Sequence, residues 1–337
     1  MVEIDALEAK ERLKKKLLEI EGVTGIGISS GSGPFLNIYV KKITEELNEQ
    51  LPDEADGMPT RIIESGEINA LPAIAGEELL ALDVSRTQRM RPVRMGISIG
   101  NVGVSAGTAG MVVRDSATGK LGILSNAHVL VDYPPASTME DPTVLQPGPH
   151  DGGSTADRIC ETTRWIPLKP TSIPGATNIV DCALCIPDNE PDISSDIIEL
   201  GTPTGTQTAI QDMQVIKSGR SSGVTEATVL DTNADIKVGY GDFSAQFTDQ
   251  IVTSVCGIPG DSGSATLNKA NNRMVGLLFA GSDSITIHNK IHNVLSQLNV
   301  SVAGTTGNGP IQAGLGGLVA LSLIGAGAHY LYKGGWK

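Results

Sequence analysis

Between Gly96 and about Ser284 the sequence never sustains a helical period. Short apolar runs alternate there with clusters of Gly, Pro, Asn and Asp: Gly110–Arg114, Leu121–Leu124, Ile179–Ile186, Gln214–Lys217, Ala227–Leu230, Gln250–Val255 and Met274–Phe279. A stretch of that length, made of short strands and tight turns, folds as a β-sandwich or barrel rather than around helices. The turns draw on 40 glycines and 18 prolines in a chain of 337 residues.

The flanks have a different character. Residues 3–20 place Ala6, Ala9, Leu13, Leu17 and Ile20 at three- and four-residue steps, which predicts an amphipathic helix. Val23–Ser29 and Phe35–Val40 read as strands about the turn Ser30–Pro34, Ile43–Leu51 as a short helix and Thr60–Ile63 as a third strand. Leu36, Ile38 and Val40 alternate with Asn37 and Tyr39, the pattern of a half-buried strand. Residues 1–66 are thus expected to form a small α+β domain, near the lower size limit for folding alone. Residues 67–91 read as a linker, and Arg86, Arg89, Arg91 and Arg94 around Pro92 suggest an exposed basic segment open to proteolytic nicking. Ile291, Val294, Leu295 and Leu298 predict a helix at the end of a main domain spanning 92–302. No internal repeat is visible.

The remaining segment, 303–337, is a Gly-rich apolar tail. Ile311–Tyr332 carries no charged residue and is long enough for the roughly 20 residues a membrane helix needs. Its glycines, Gly314, Gly316, Gly317, Gly325 and Gly327, lower helix propensity and suit close packing against another protein or another copy of the chain. Membrane contact and protein contact, including homo-oligomerisation, are both open readings of 311–332.

Charge narrows the partners. Lys plus Arg is 25 against 38 for Asp plus Glu, and the net −13 repels phosphate backbones, so nucleic acid is not expected. The four cysteines are too irregularly spaced for a disulfide scaffold or a paired Cys-x-x-Cys zinc site, and Cys182 and Cys185 read as small buried hydrophobes. His150, His288, His292 and His329 lack matching carboxylates; no metal and no cofactor are expected. The opening residues, MVEIDALEAKERLKKK, are charged throughout, unlike a secretory signal, which points to a cytoplasmic protein with reduced thiols.

Three segments carry chemistry: Leu124-Ser125-Asn126-Ala127-His128-Val129, Ile179-Val180-Asp181-Cys182-Ala183-Leu184 and Gly260-Asp261-Ser262-Gly263-Ser264. Acyl transfer to a serine needs a base beside the hydroxyl, an anion behind the base and backbone N–H groups facing the developing oxyanion. His128, Asp181 and Ser262, separated by 53 and 81 residues, supply those types in one order, with Asp151 and Asp157 as rival acids.

On these motifs the chain resembles the chymotrypsin-like (trypsin-like) serine proteases over about residues 92–300. The fifth residue of the serine motif, Ser264, departs from the family's Gly, and Asn126 stands where animal digestive enzymes usually carry Ala. Lys217-Ser218-Gly219-Arg220-Ser221-Ser222-Gly223 and Val275–Ser282 add to the likeness, which is strongest to the intracellular bacterial and plant narrow-leaf-type branch. The resemblance implies a mainly β fold of two antiparallel barrels. It implies a triad of His128, Asp181 and Ser262, and an oxyanion hole from the Gly260 and Ser262 N–H groups. The substrate pocket would have Cys256 at its base and Phe279 and Gly281 on its wall. With Cys256 there in place of an acid, an apolar or small residue is expected before the cut, and Gly281 would leave the entrance open. Asp261, which in the animal enzymes pairs with a newly cut N-terminus, is expected to find an internal partner or a terminus released within Arg86–Arg94. The implied activity is endopeptidase cleavage of a protein or peptide substrate. The competing reading is a structural or interaction protein on a retained protease fold, self-processing at most.

Overall fold

The computed structural model describes residues 3–30, 33–73 and 84–303. The tail segment 311–332, with its membrane and packing readings, lies outside the described residues. Among those described, no helix is long and apolar enough to cross a membrane.

The β-rich region closes into two antiparallel barrels. The first is built from Ser98–Asn101, the run from Gly107 to Asp115, Leu121–Ser125, Thr143–Leu145, Arg158–Trp165 and Ala183–Pro187. Numbered one to six along the chain, these strands neighbour one another in the order 1-2-3-6-5-4. Strand 4 returns to strand 1 through Val144↔Asn101, and the Ala109 N–H bond to the Ile97 carbonyl (2.9 Å) joins strands 1 and 2. The second barrel uses Gln214–Gly219, Gly223–Gly239, Ser244–Ser254, Ala265–Asn268, Arg273–Gly281 and Ile285–Lys290. Its order is again 1-2-3-6-5-4, with strand 4 closing on strand 1 at Ile216↔Leu267. The mainly β, two-barrel fold of the chymotrypsin type is therefore present. A repeat of topology exists that the sequence hides, because strand pairing and not residue identity carries it.

Strand lengths differ from expectation where polar residues interrupt an apolar pattern. Only Ala227–Leu230 reads as a strand in the sequence, yet Gly223–Gly239 is one strand of 17 residues. Asp231 and Asp235 lie inside it, fully buried. Register shifts occur at Asp231/Ala234 and Ala234/Ile236, and the far half, still paired with strand 3 as far as Gly239↔Ser244, also pairs on its other edge with Val23–Ser30 at Gly25↔Ile236 and Ile26↔Asp235. Conversely, the expected strand Ile179–Ile186 begins only at Ala183, and residues 179–182 form a loop.

The N-terminal elements follow the predicted order: helix Glu3–Leu18, strands Val23–Ser30 and Pro34–Val40, helix Glu45–Gln50 and strand Met58–Glu64. They extend the sheet of the second barrel rather than standing apart from it. Ala6, Ala9 and Leu17 of the first helix share a core with Ile26, Leu36 and Ile38. The strand read as half-buried is buried on both faces, because Asn37 and Tyr39 point at Asp231: Asn37 Nδ2 donates to Asp231 Oδ2 at 3.1 Å and Tyr39 Oη at 3.2 Å. Lys10 and Lys14 of the helix reach Asp235 at 2.9 and 3.1 Å.

The cysteine reading needs one correction. Cys185 is not a free thiol but is joined to Cys160 across strands 5 and 6 of the first barrel, with Cα atoms 5.7 Å apart. A sequence separation of 25 residues gives no hint of it; antiparallel pairing brings the two together. Cys182 is free and buried as expected, and burial pushes its thiol well above the ordinary range.

Burial lifts the Asp231 carboxyl from its ordinary 3.8 to about 6, against the hydrogen bonds that favour its charge. A carboxyl raised in the folded state holds its proton there after the unfolded chain has lost it, so this group's contribution falls as pH rises from about 4 to about 6. The difference corresponds to about 3 kcal/mol. Thermal unfolding at a series of pH values should show the melting temperature of Asp231→Asn gaining on that of the unsubstituted chain between pH 4 and 7. A pH-independent offset between the two would contradict the raised carboxyl.

Candidate active site

His128 sits in the one-turn helix Ala127–Leu130, directly after strand 3 of the first barrel. Its Nδ1 lies 2.5 Å from Asp181 Oδ2, in the loop that leads into strand 6. The Asp181 carboxylate is fully buried, and such a charge is tolerated only when donors surround it. Four do: the imidazole, the Ala127 N–H (2.7 Å), the His128 N–H (3.3 Å) and the Tyr240 hydroxyl (2.8 Å). Burial and the Asp181 charge raise the Tyr240 phenol well above its usual range, so it stays a donor.

The backbone of Asp181 is held as firmly as its side chain. Asn126 Nδ2 donates to its carbonyl at 2.7 Å, and its N–H donates to Asn289 Oδ1 of the second barrel at 2.9 Å. Asn126, a departure from the animal pattern, thus has a positioning role. The rival acids are elsewhere. Asp151 forms a buried pair with Arg220, whose Nη2 and Nε lie 2.5 and 2.9 Å from it, and Asp157 caps a short turn through Ser154.

Ser262 follows strand 3 of the second barrel in the loop Gly260–Ser264. Gly260 has φ +91°, and a Cβ there would strike the Ser221 hydroxyl and the Arg220 guanidinium. The loop is fixed by Asp261, which is fully buried and finds an internal partner: Lys217 Nζ, also fully buried, lies 2.8 Å away. The Ser221, Ser222 and Ile258 N–H groups and the Ser222 hydroxyl complete its shell at 2.6–3.1 Å. No newly cut N-terminus is needed to compensate it. Ser264 donates back to the Asp261 carbonyl at 2.6 Å, so the departure from Gly ties the loop down.

Ser262 Oγ makes no hydrogen bond to His128. It donates to the Phe279 carbonyl at 3.1 Å and accepts from the Leu71 N–H at 3.2 Å, and the residue is fully buried. The buried His128 Nε2 has no hydrogen-bond partner among the described residues. The His128 residue is one wall of a cavity of about 470 Å³ lined also by Tyr133, Tyr240, Phe243 and, from the supposed linker, Asn69, Ala70 and Pro72.

The described parts of the supposed linker, 67–73 and 84–91, are accordingly not an exposed tether. Ile68, Leu71 and Ala73 are buried, and the chain around them runs through the site. The Leu71 N–H reaches the Phe279 carbonyl at 3.3 Å, and the Gly260 N–H, an expected oxyanion donor, holds the Leu71 carbonyl at 2.7 Å. Leu71 packs in one apolar cluster with Cys256 and Leu278, and a Cβ on Gly281 would come 3.2 Å from its Cδ1. The pocket entrance expected to be open at Gly281 is therefore filled. Phe279 contributes its carbonyl to the cleft, while its ring packs away on Phe247 with centroids 4.7 Å apart. The basic cluster is folded in as well. Arg86 is buried, bonded to the Gly96 carbonyl and Ser218 and paired with Glu199; Arg91 binds Gln146; Arg94 pairs with Asp196. Of the four arginines only Arg89 is largely exposed, at 59%. These bonds consume the polar capacity that made the segment look solvated.

Sequence reading missed Tyr240, Asn289 and residues 68–73 as parts of the site. Tyr240 stands in the turn between strands 2 and 3 of the second barrel and stacks on Phe243 at 4.9 Å; no spacing pattern relates it to Asp181. Among the described residues no group of His, Cys, Asp and Glu is arranged to hold a metal ion.

No family model matches the chain, and no curated protein does. Among solved structures it is similar to Nocardiopsis protease (18% identity over 62% of this chain and 97% of that one, TM-score 0.44). It is similar also to Thermobifida fusca protease A (19%, 63% and 99%, TM-score 0.46) and to Cellulomonas bogoriensis chymotrypsin (18%, 63% and 99%, TM-score 0.43).

The Lys217–Asp261 pair yields a stability test. Removing one partner of a buried pair typically costs about 3–5 kcal/mol, because the other charge is stranded. Lys217→Met should lower unfolding free energy in denaturant by that order, and adding Asp261→Asn should restore part of it. A double variant no more stable than the single one would show that Asp261 does not depend on Lys217.

Proposed function

We propose that the chain is a serine endopeptidase acting through His128, Asp181 and Ser262. The observation that carries this reading is the buried His128–Asp181 pair, whose outer nitrogen is left without a hydrogen-bond partner among the described residues, together with a serine loop that already holds a carbonyl oxygen on the Gly260 N–H. In the reaction Ser262 Oγ turns from the Phe279 carbonyl to His128 Nε2 and attacks the substrate carbonyl carbon as its proton passes to the imidazole. The oxyanion is received by the Gly260 and Ser262 N–H groups. Collapse breaks the C–N bond and the imidazolium gives its proton to the departing amine; water then repeats the sequence on the acyl-enzyme. Asp181 holds the imidazole tautomer and balances its charge.

The substrate is a protein or peptide, since the cleft offers a strand edge and backbone donors. The motifs at Leu124–Val129 and Lys217–Gly223 support the narrow-leaf-type branch. The Cys160–Cys185 bond argues against a strictly reduced, cytoplasmic setting. The occluded Ser262 is what the competing interaction-protein reading would lean on.

A fluorophosphonate probe separates the two readings. It should modify the full chain at Ser262, as located by peptide mapping, and should not modify Ser262→Ala. Asp181→Asn should slow both labelling and peptide turnover roughly a thousand-fold with little change in KM, whereas Asp157→Asn should leave them near the original rates. Labelling that survives Ser262→Ala, or equal losses at Asp157, would remove the assignment.

A further inference from the structure

Residues 68–73 cross the site as an extended strand bonded to both barrels. Asn69 and Ala70 pair antiparallel with Gly281 and Ala280, and the Gly239 N–H donates to the Ile68 carbonyl at 3.0 Å. At Leu71 the N–H goes to Phe279 and the carbonyl oxygen to the Gly260 N–H. Two residues on, the Ala73 N–H donates to the Ala106 carbonyl of the first barrel at 2.9 Å. This ladder has the features that acyl transfer asks of a bound peptide. One carbonyl oxygen lies on the oxyanion donor, the side chain before the reacting bond is in the pocket and the residue after it, Pro72, lines the same cavity as His128.

We infer that residues 68–73 are a tethered substrate mimic, and that the site takes peptides in this register with a leucine-sized aliphatic side chain in the Cys256 pocket. The inference rests on the protease reading and deepens it. The pocket chemistry agrees with the occupant. Behind Cys256, at 4.0 Å from its sulfur, lies His288, held at both ring nitrogens by Thr253 and Thr266. Burial, with the Lys217 charge, pushes its imidazole down to about 3, so it is neutral and gives an acidic side chain no counter-charge. The Lys217 ammonium is engaged with Asp261, and that carboxylate is shielded in turn from a basic side chain. What remains for the occupant is Cys256, Leu278 and the open side of Gly281, an apolar slot.

Two features keep the mimic from being cut in this state. Ser262 Oγ donates its hydrogen bond to the Phe279 carbonyl and not to His128. The nitrogen that would leave belongs to Pro72, a ring amide with φ fixed and no N–H.

The test uses the full chain and two variants. Leu71→Ala removes the side chain that fills the slot, and Ala73→Pro removes the N–H bonded to Ala106 while keeping the leucine, so the two loosen the strand by different contacts. Both should accelerate fluorophosphonate modification of Ser262 at least ten-fold over the unsubstituted chain, and the unsubstituted chain should remain uncut between Leu71 and Pro72 by intact mass. Hydrolysis of fluorogenic peptides by Ala73→Pro should favour leucine before the cut over lysine or glutamate by ten-fold or more. Equal labelling rates in all three forms, a preference for a charged residue, or a chain found cleaved after Leu71 would overturn the inference. Amide exchange gives a reading independent of catalysis: the Leu71 N–H should be protected in the unsubstituted chain and lose that protection in Ala73→Pro. Were Ser262 unreactive in every form while Leu71 stayed protected, the protease reading would fall and the strand's seat in the cleft would stand. Rapid exchange at Leu71 would unseat the strand itself.

Discussion

The buried carboxylate of Asp181 is the interaction on which the site depends. An ion removed from water costs several kcal/mol unless donors replace its hydration, and here they come from the His128 helix and from the turn at Tyr240. Its backbone is bonded to Asn289 as well, so one charge draws a loop of the first barrel onto two elements of the second. Compensating Asp181 therefore also orients His128. The imidazole cannot leave without exposing a charge that nothing else neutralises.

The same physics recurs around the cleft. Asp261 sets the serine loop through Lys217 and three backbone N–H groups, and Asp151 ties the first barrel to Arg220. Arg86 reaches from the region preceding the first barrel to Ser218 and Glu199. Each pair joins segments far apart in sequence. Buried pairs add little net stability over well-packed apolar residues, but a broken one is costly. Their effect here is on register: they leave few ways to seat one barrel against the other.

How much of this could be read from the sequence follows from what carries each feature. The residue types at His128, Asp181 and Ser262 stand in local motifs, so the candidates were visible before any coordinates. The barrels were visible as a class through turn residues and short apolar runs. The 17-residue strand through Asp231 and Asp235 was not, because buried carboxylates mimic a turn in any reading that equates polarity with exposure. The described residues of 67–91 misled for the same reason. Arg86 and Arg91 look solvated in sequence, and only the fold supplies the carbonyls and carboxylate that bury the first and half-bury the second. Tyr240 and Asn289 touch Asp181 from strand ends that no spacing rule connects to it.

The N-terminal region acquires a role from its connection to the second barrel. Because Val23–Ser30 continues the sheet from Gly223–Gly239, the strand Met58–Glu64 ends beside that barrel, where the Ser65 N–H bonds to the Val40 carbonyl. The chain then turns at Gly66, with φ +70°, and passes directly into the ladder at Ile68. A strand delivered in this way competes at the effective concentration of an intramolecular ligand, of order millimolar even for a short flexible tether. The intrinsic fit of Leu71 to the slot therefore need not be tight for the cleft to stay filled. What opens it must either outbid that local concentration or loosen the sheet that delivers the strand. The polar contacts around Asp231 and Asp235 hold the N-terminal helix and strands to the second barrel, and so hold the strand's point of departure.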